Sequence, residues 1–213
     1  MENVIESFMT KQKIILASTS PRRHNLAQQM GLEFEIVPSD YKEDMSMKMS
    51  CSKLAMALAY GKAKDVSKKF NLGIVLGIDT FVVFDDKRLG KPKNKEEAYK
   101  MLKNYSGKNV KVYSGIALID CGTKKEIKDY EVSNVKFKKI TDEEIWNYIS
   151  TGEPMDKAGA FAIQGLASIF IEKINGCYTN IVGFPVHCIY VNLKKIGVNI
   201  FEYEKWKNNQ NGV

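Results

Sequence analysis

The segment Ser20-Pro21-Arg22-Arg23 is an unusual way to begin a helix. Serine as N-cap and proline at the first helical position form a standard start. The first turn then carries a positive field and ordinarily takes Asp or Glu, yet here it holds two arginines. Two cations beside unpaired backbone N–H groups suit a bound anion. A phosphate there could take N–H bonds, arginine forks and the hydroxyls of Ser18, Thr19 or Ser20. The plainer alternative is an exposed arginine pair tolerated at small cost. Lys62 is the second anomaly. Counting by fours through Leu54, Leu58, Lys62, Val66 and Phe70 places the lysine in the middle of an apolar helical stripe. It must either snorkel to solvent or meet a negative charge. The third is Asp79, which ends the apolar run GIVLGI. An acid at the end of a buried strand belongs to the crevice where α/β sheets meet ligands, or it serves as a turn cap. In the crevice it could hold a divalent metal or accept a proton from water. Cations and a carboxylate drawn from separate elements are the parts that chemistry at a polyphosphate needs.

These groups sit on strand and helix signals that alternate along the chain, which predicts an α/β fold. KIILA (13–17) reads as a buried strand, followed by the Ser20-Pro21 helix up to Gly31. EFEIVP (33–38) reads as strand, 50–70 as a long helix, and GIVLGID with FVVF (73–84) as strand up to an Asp85-Asp86 turn. Asn94 caps a helix with Ala98, Met101, Leu102 and Tyr105 inward. Residues 110–119 and 125–138 form a strand pair joined near Cys121-Gly122. Thr141-x-x-Glu144 is a capping box opening a helix over 142–150. ASIFIEKI (167–174) reads as strand, and Phe184 to Ile196 as the closing helix. The expected organisation is an extension over 1–12, one domain over 13–197, and a tail over 198–213.

The 213 residues suffice for one domain with a sizeable core, or for two lobes around a cleft. A formal charge of +7 favours anionic partners, although lysines spread along the whole chain also describe an ordinary solvated surface. Cys51, Cys121, Cys177 and Cys188 form no C-x-x-C pair, and His24 and His187 are the only histidines. A zinc site and a disulfide framework are therefore not expected, and reduced thiols point to the cytoplasm. No signal-peptide core and no membrane-length apolar run occur. The Gly-Lys pairs at 61–62, 90–91 and 107–108 lack the P-loop pattern. No RNP-like interleaving of aromatic and basic residues argues for nucleic acid.

STSPRR (18–23) directly after IILA resembles the opening signature of the Maf family. The stretch 77–118, with GIDT and LGKP, resembles that family's central block. TGEPMDKAGAFAIQG (151–165) and INGCYTNIVGFP (174–185) resemble the third and fourth blocks. The similarity runs from about residue 13 to 196.

This resemblance implies an elongated α/β fold with a mixed, twisted sheet flanked by helices, related to inosine-triphosphate pyrophosphatases. It also implies hydrolysis of a nucleoside triphosphate between its α- and β-phosphates, a divalent metal (Mg2+, with Mn2+ or Co2+ as alternatives) and a homodimer. By the same resemblance Asp79 is the proton acceptor and a metal ligand. Arg22, Arg23, Lys62 and Lys91, with Ser18 and Ser20, hold the phosphates. Glu43 is the second metal-side acid, with Asp40 and Asp44 as rivals. Arg22, Thr80 and Gln164 match the subgroup that prefers dTTP and UTP over 7-methyl-GTP. Asp156 and Lys157 either support the site or form a structural pair. Ile78 and Ala162 depart from the family's usual small residue and glycine. The rival readings are an inosine-triphosphate-type enzyme and a basic nucleic-acid-binding or septum-regulating protein without catalysis.

Overall fold

The computed structural model describes residues 12–202. Ile14–Ala17 (β1) is buried along its whole length, as its unbroken apolar sequence requires. It lies parallel between Phe34–Ile36 (β2) and Ile74–Phe84 (β3). Lys87–Leu89 (β4) folds back on the far end of β3 through Asp85 and Asp86, both at positive φ as a tight hairpin turn demands. Asn109–Asp120 (β5), Glu126–Phe137 (β6) and Ile171–Asn175 (β7) continue the sheet antiparallel. The order β2-β1-β3-β5-β6-β7, with β4 beside β3, makes one mixed seven-stranded sheet. Strands of 11 and 12 residues, at about 3.3 Å each, make the body long.

One face of this sheet carries the helix Cys51–Ser67 (α2), packed along both β3 and β5. The other face is covered in two halves. Pro21–Gln29 (α1), Tyr178–Val182 (α5) and Val186–Lys195 (α6) close a core on Leu16, Leu76, Ile78 and Ile116. Lys95–Tyr105 (α3) and Asp142–Ser150 (α4) close another on Val82, Val112, Val135 and Phe137. Two apolar lobes on one continuous sheet leave a cleft between them, floored by the middle of β3 and β5.

Asn94 accepts the Glu97 amide and Thr141 shares a reciprocal capping box with Glu144, as the sequence predicts. Three local differences appear. Residues 167–174 are not one strand: Leu166–Phe170 forms a 3-10 turn and only Ile171–Asn175 is strand. The reason is Glu153, whose carboxylate accepts the Leu166 and Ala167 amides and holds the turn, while Ala167 and Phe170 point inward three residues apart. The short β4 and α5 carry no sequence signal that separates them from loop. The extension read over 1–12 lies outside the described residues except for Gln12, as does the tail from 203. Val198 and Ile200, inside the predicted tail, are buried in the first lobe.

Candidate active site

The signature helix opens as read, but its cap is left open. Ser20 stands at the N-cap of α1 with no side-chain cap bond, and no acid occupies the first turn. The Ser18 hydroxyl instead accepts the Ser20 amide at 3.2 Å. The start of α1 therefore offers amides and hydroxyls at the end of β1, the end of an α/β sheet where ligands bind.

The two arginines part company. Arg22 lines the cleft and makes no hydrogen bond or ion pair with another described residue, and exposed Lys91 behaves likewise. Arg23 turns inward. Its Nε donates to Gly183 O at 2.8 Å, Nη1 to Ile78 O at 3.0 Å and Ser18 Oγ at 3.3 Å, and Nη2 to Thr80 Oγ1 at 3.2 Å. Four of the five donors of its fork are thus spent tying α1, β3 and the Gly183 turn together. Burial pulls its guanidinium below the usual value, and the charges of Asp79 and Glu43 oppose that fall.

Lys62 resolves its place in the apolar stripe by meeting two acids. Its Nζ donates to Asp79 Oδ1 at 2.6 Å and pairs with Glu43 Oε1 at the same distance. Asp79 is 4% exposed, so the pair is a buried one that the second carboxylate and the cleft help to solvate. The acid's other oxygen, Oδ2, has no hydrogen-bond partner among the described residues. The rivals of Glu43 look elsewhere: Asp40 reaches Lys69 at 3.8 Å, and Asp44 accepts from Ser46.

Period-two alternation along β3 divides the work. Gly77 and Asp79 face α2, whereas on the opposite face Ile78 enters the core of the first lobe and Thr80 faces the cleft. On the α2 side, Ser18, Ser20, Arg22, Glu43, Lys62 and Lys91 line a polar cavity. On the other side, Thr80, Val82, Val112, Phe161, Gln164 and Ile181 line a mostly apolar one. Ser20, Arg22, Arg23, Lys91 and Asp156 border both. Asp156 and Lys157 are ion-paired at that rim, and the Lys157 hydrogen bond, with Arg22 behind it, holds the Asp156 carboxyl below its usual range. The phosphate-side and base-side residues singled out in the sequence therefore border one continuous region with a polar side and a mostly apolar side, and Asp79 joins it through its ion pair with Lys62.

Among the described residues no group of three or more His, Cys, Asp and Glu side chains could hold a metal ion. The donor set is nevertheless suited to Mg2+, which takes one or two carboxylates and completes its shell with phosphate oxygens and water. Asp79 and Glu43, within reach of one ammonium, are such a pair.

Glu43 is carried by a loop that the sequence alone did not explain. Ser39 Oγ and the Asp40 amide both donate to Asp65 Oδ2 of α2, at 2.9 and 2.8 Å. The Tyr41 ring lies over Gly61, where a Cβ would sit 2.3 Å from it. At the far end Arg88 donates to the carbonyls of Met45 and Met47, at 2.8 and 2.9 Å, and to that of Met49. An arginine on β4 thus pins a strap whose alternate methionines enter the core beside Phe81. Arg88→Ala removes three charge-assisted bonds. Trypsin is expected to cut at Lys42 and Lys48 about tenfold faster in that variant, because local opening costs less. Unchanged cleavage would mean that the methionines hold the strap without the arginine.

The Maf-like protein family model matches residues 13–196. The chain belongs to the Maf family. It is similar to Maf-family relatives named dTTP/UTP pyrophosphatase in Alkaliphilus oremlandii, at 52% identity over 86% of this chain and 95% of the relative. A protein of the same name in Clostridium tetani shares 49% identity over 87% of this chain and 98% of its own length. Among solved structures the Ham1 protein of Staphylococcus aureus superimposes with a TM-score of 0.50 at 13% identity, covering 87% of this chain and 100% of that one. That likeness concerns the fold, and it agrees with the mixed sheet and flanking helices expected of a Maf chain. No helix among the described residues is long and apolar enough to cross a membrane.

Proposed function

We propose that this chain is a nucleoside triphosphate pyrophosphatase that converts dTTP and UTP to their monophosphates and pyrophosphate. The carrying observation is the convergence of Arg22, Lys62 and Lys91 on one polar cavity, with Asp79 ion-paired to Lys62, beside a second, mostly apolar cavity. The names of its relatives support the same substrates.

In this reading Arg22 and Lys91, which have no partner of their own among the described residues, take the phosphate oxygens with the open N-terminus of α1. Arg23 holds the frame and contributes its one uncommitted N–H. A divalent metal held by Asp79 and Glu43 would supply charge neutralisation at the α- and β-phosphates. Asp79 uses Oδ1 for Lys62 and turns Oδ2 to the attacking water. The water oxygen bonds to the α-phosphorus, its proton passes to Asp79, and the bond to the α–β bridging oxygen breaks to release pyrophosphate. Thr80 and Gln164 face the base, where an amide that both donates and accepts suits the edge of a pyrimidine. A homodimer in the cytoplasm completes the proposal.

Pyrophosphate release from UTP, dTTP, CTP, ITP and 7-methyl-GTP with Mg2+ tests it. UTP and dTTP should give kcat/KM at least about tenfold above the others, a margin that hydrogen-bond recognition readily supplies. Preference for ITP would move the chain to the inosine-triphosphate class. Salt-dependent binding to nucleic acid without turnover of any triphosphate would replace the enzyme with a binding protein.

A further inference from the structure

The hydroxyl of Thr80 belongs to a buried chain of hydrogen bonds. It accepts from Arg23 Nη2 at 3.2 Å and lies 2.8 Å from Ser114 Oγ. Ser114 stands directly opposite Thr80 in the β3–β5 ladder and is fully buried. Its hydroxyl lies 3.4 Å from the carbonyl oxygen of Asn180. Asn180 is itself fully buried and held by its side chain, whose Nδ2 donates to Val112 O at 3.1 Å and Ser133 Oγ at 2.9 Å.

The two ends of this chain cannot exchange roles. A guanidinium only donates and a carbonyl only accepts, whereas each hydroxyl between them has one proton and two lone pairs. If Ser114 gives its proton to Asn180 O, the bond between the hydroxyls must be donated by Thr80. Thr80 then has one lone pair on Arg23, its proton on Ser114, and one lone pair left for the cleft. The reverse order would aim a Ser114 lone pair at the Asn180 carbonyl in a buried, low-dielectric place, which is costly. All bonds running one way, from Arg23 through Thr80 and Ser114 to Asn180, polarise one another favourably.

We infer that Ser114 is a positioning residue for base selection: it orients the Thr80 hydroxyl so that only an acceptor faces the nucleobase. Uracil and thymine carry an N–H between two carbonyls, which an acceptor oxygen welcomes. Cytosine carries a bare ring nitrogen at that position, which the same oxygen repels. Ser114 thereby separates imide-bearing pyrimidines from cytosine without touching either. The inference rests on the proposed pyrophosphatase reading and deepens it.

The test is the ratio of kcat/KM for UTP to that for CTP in wild type, Ser114→Ala, Thr80→Ser, Thr80→Val and the double variant Ser114→Ala/Thr80→Val. In Ser114→Ala the threonine proton is free to turn to the cleft. The ratio should fall about tenfold, chiefly through a better KM for CTP, with kcat for UTP within about twofold of wild type. Thr80→Ser keeps the relay and the ratio; Thr80→Val loses both; the double variant loses no more than Thr80→Val alone. An unchanged ratio in Ser114→Ala, or a second independent loss in the double variant, overturns the inference. The Thr80 pair carries the test if Ser114→Ala does not fold, since equal ratios for serine and valine there also overturn it. A wild type that turns over UTP and CTP equally refutes this inference alone. One that turns over neither UTP nor dTTP refutes the function beneath it.

Discussion

Asp79→Ala is expected to lower pyrophosphate release by about 10³-fold, the scale of a lost general base, and to leave the protein folded. The second half of that expectation comes from Glu43. Asp79 is nearly completely buried, and removing one member of a buried ion pair ordinarily strands the other at a cost of about 3–5 kcal/mol. Here the stranded group would be Lys62, but its Nζ already pairs with Glu43 Oε1 at 2.6 Å, and 15% of its side chain is open to solvent. The ammonium keeps a counter-charge, and the loss in stability should stay within about 2 kcal/mol, in the range of one charged hydrogen bond. Steady-state turnover and a denaturant melt measured on the same preparation read both quantities. Turnover within tenfold of wild type would remove Asp79 from the chemistry. An unfolded variant would show that Glu43 does not compensate, and Asp79→Asn, which keeps the shape, would then carry the kinetic comparison.

Gly115→Ala should be the most damaging glycine-to-alanine change among the described residues. A Cβ at that position would lie 2.0 Å from the carbonyl oxygen of Ala55 and 2.1 Å from its carbon, both backbone atoms of α2. On the neighbouring strand a Cβ at Gly77 would lie 2.2 Å from Ala59 O, one turn further along the same helix. Two glycines on a diagonal of adjacent strands thus form a seat on which the helix backbone rests without intervening side chains. A helix backbone cannot rotate out of the way as a lysine tip can, so α2 must rise from the sheet and loosen Leu54, Leu58 and Ala59. The expected cost is about 3 kcal/mol, at the upper end for overpacking. Lys62 rides on the same helix and would move away from Asp79, so activity should fall along with stability. Chemical denaturation, with Gly90→Ala as the control because its Cβ meets nothing within 4 Å, measures the effect. A wild-type midpoint in Gly115→Ala would show that the helix does not need its seat.

Much of this arrangement can be read from residue types alone, and the reasons differ by element. Asn94 and Thr141 announce helices because their side chains satisfy orphan amides within three residues, a local matter. Lys62 and Asp79 stand out because each breaks an apolar pattern that burial would otherwise enforce. What escapes is whatever depends on a distant partner. The run ASIF reads as strand until Glu153, more than a dozen residues earlier, captures its amides. Glu43 could not be separated from Asp40 and Asp44 by spacing, since the choice is made by Asp65 and Arg88 pinning the loop from two other elements. Arg23 looks as free as Arg22 in the sequence, and only the closing of the Gly183 turn against it shows otherwise. Ser114 and Asn180 give no signal at all, because a single polar residue in a strand or short helix is ordinary until its neighbours are known.

Asp79 and Thr80 are consecutive residues of β3, and the pleat sends them through opposite surfaces of the sheet. The pitch between the acid and the Thr80 hydroxyl is therefore set by peptide geometry and cannot be tuned. Sliding β3 by a single position would exchange the two and turn the site inside out. Ten consecutive pairings with β5, from Ile74 to Val83, stand against such a slip. Any change at this rung must then come by swapping the Thr80 side chain itself, because the ladder that carries it is not free to move.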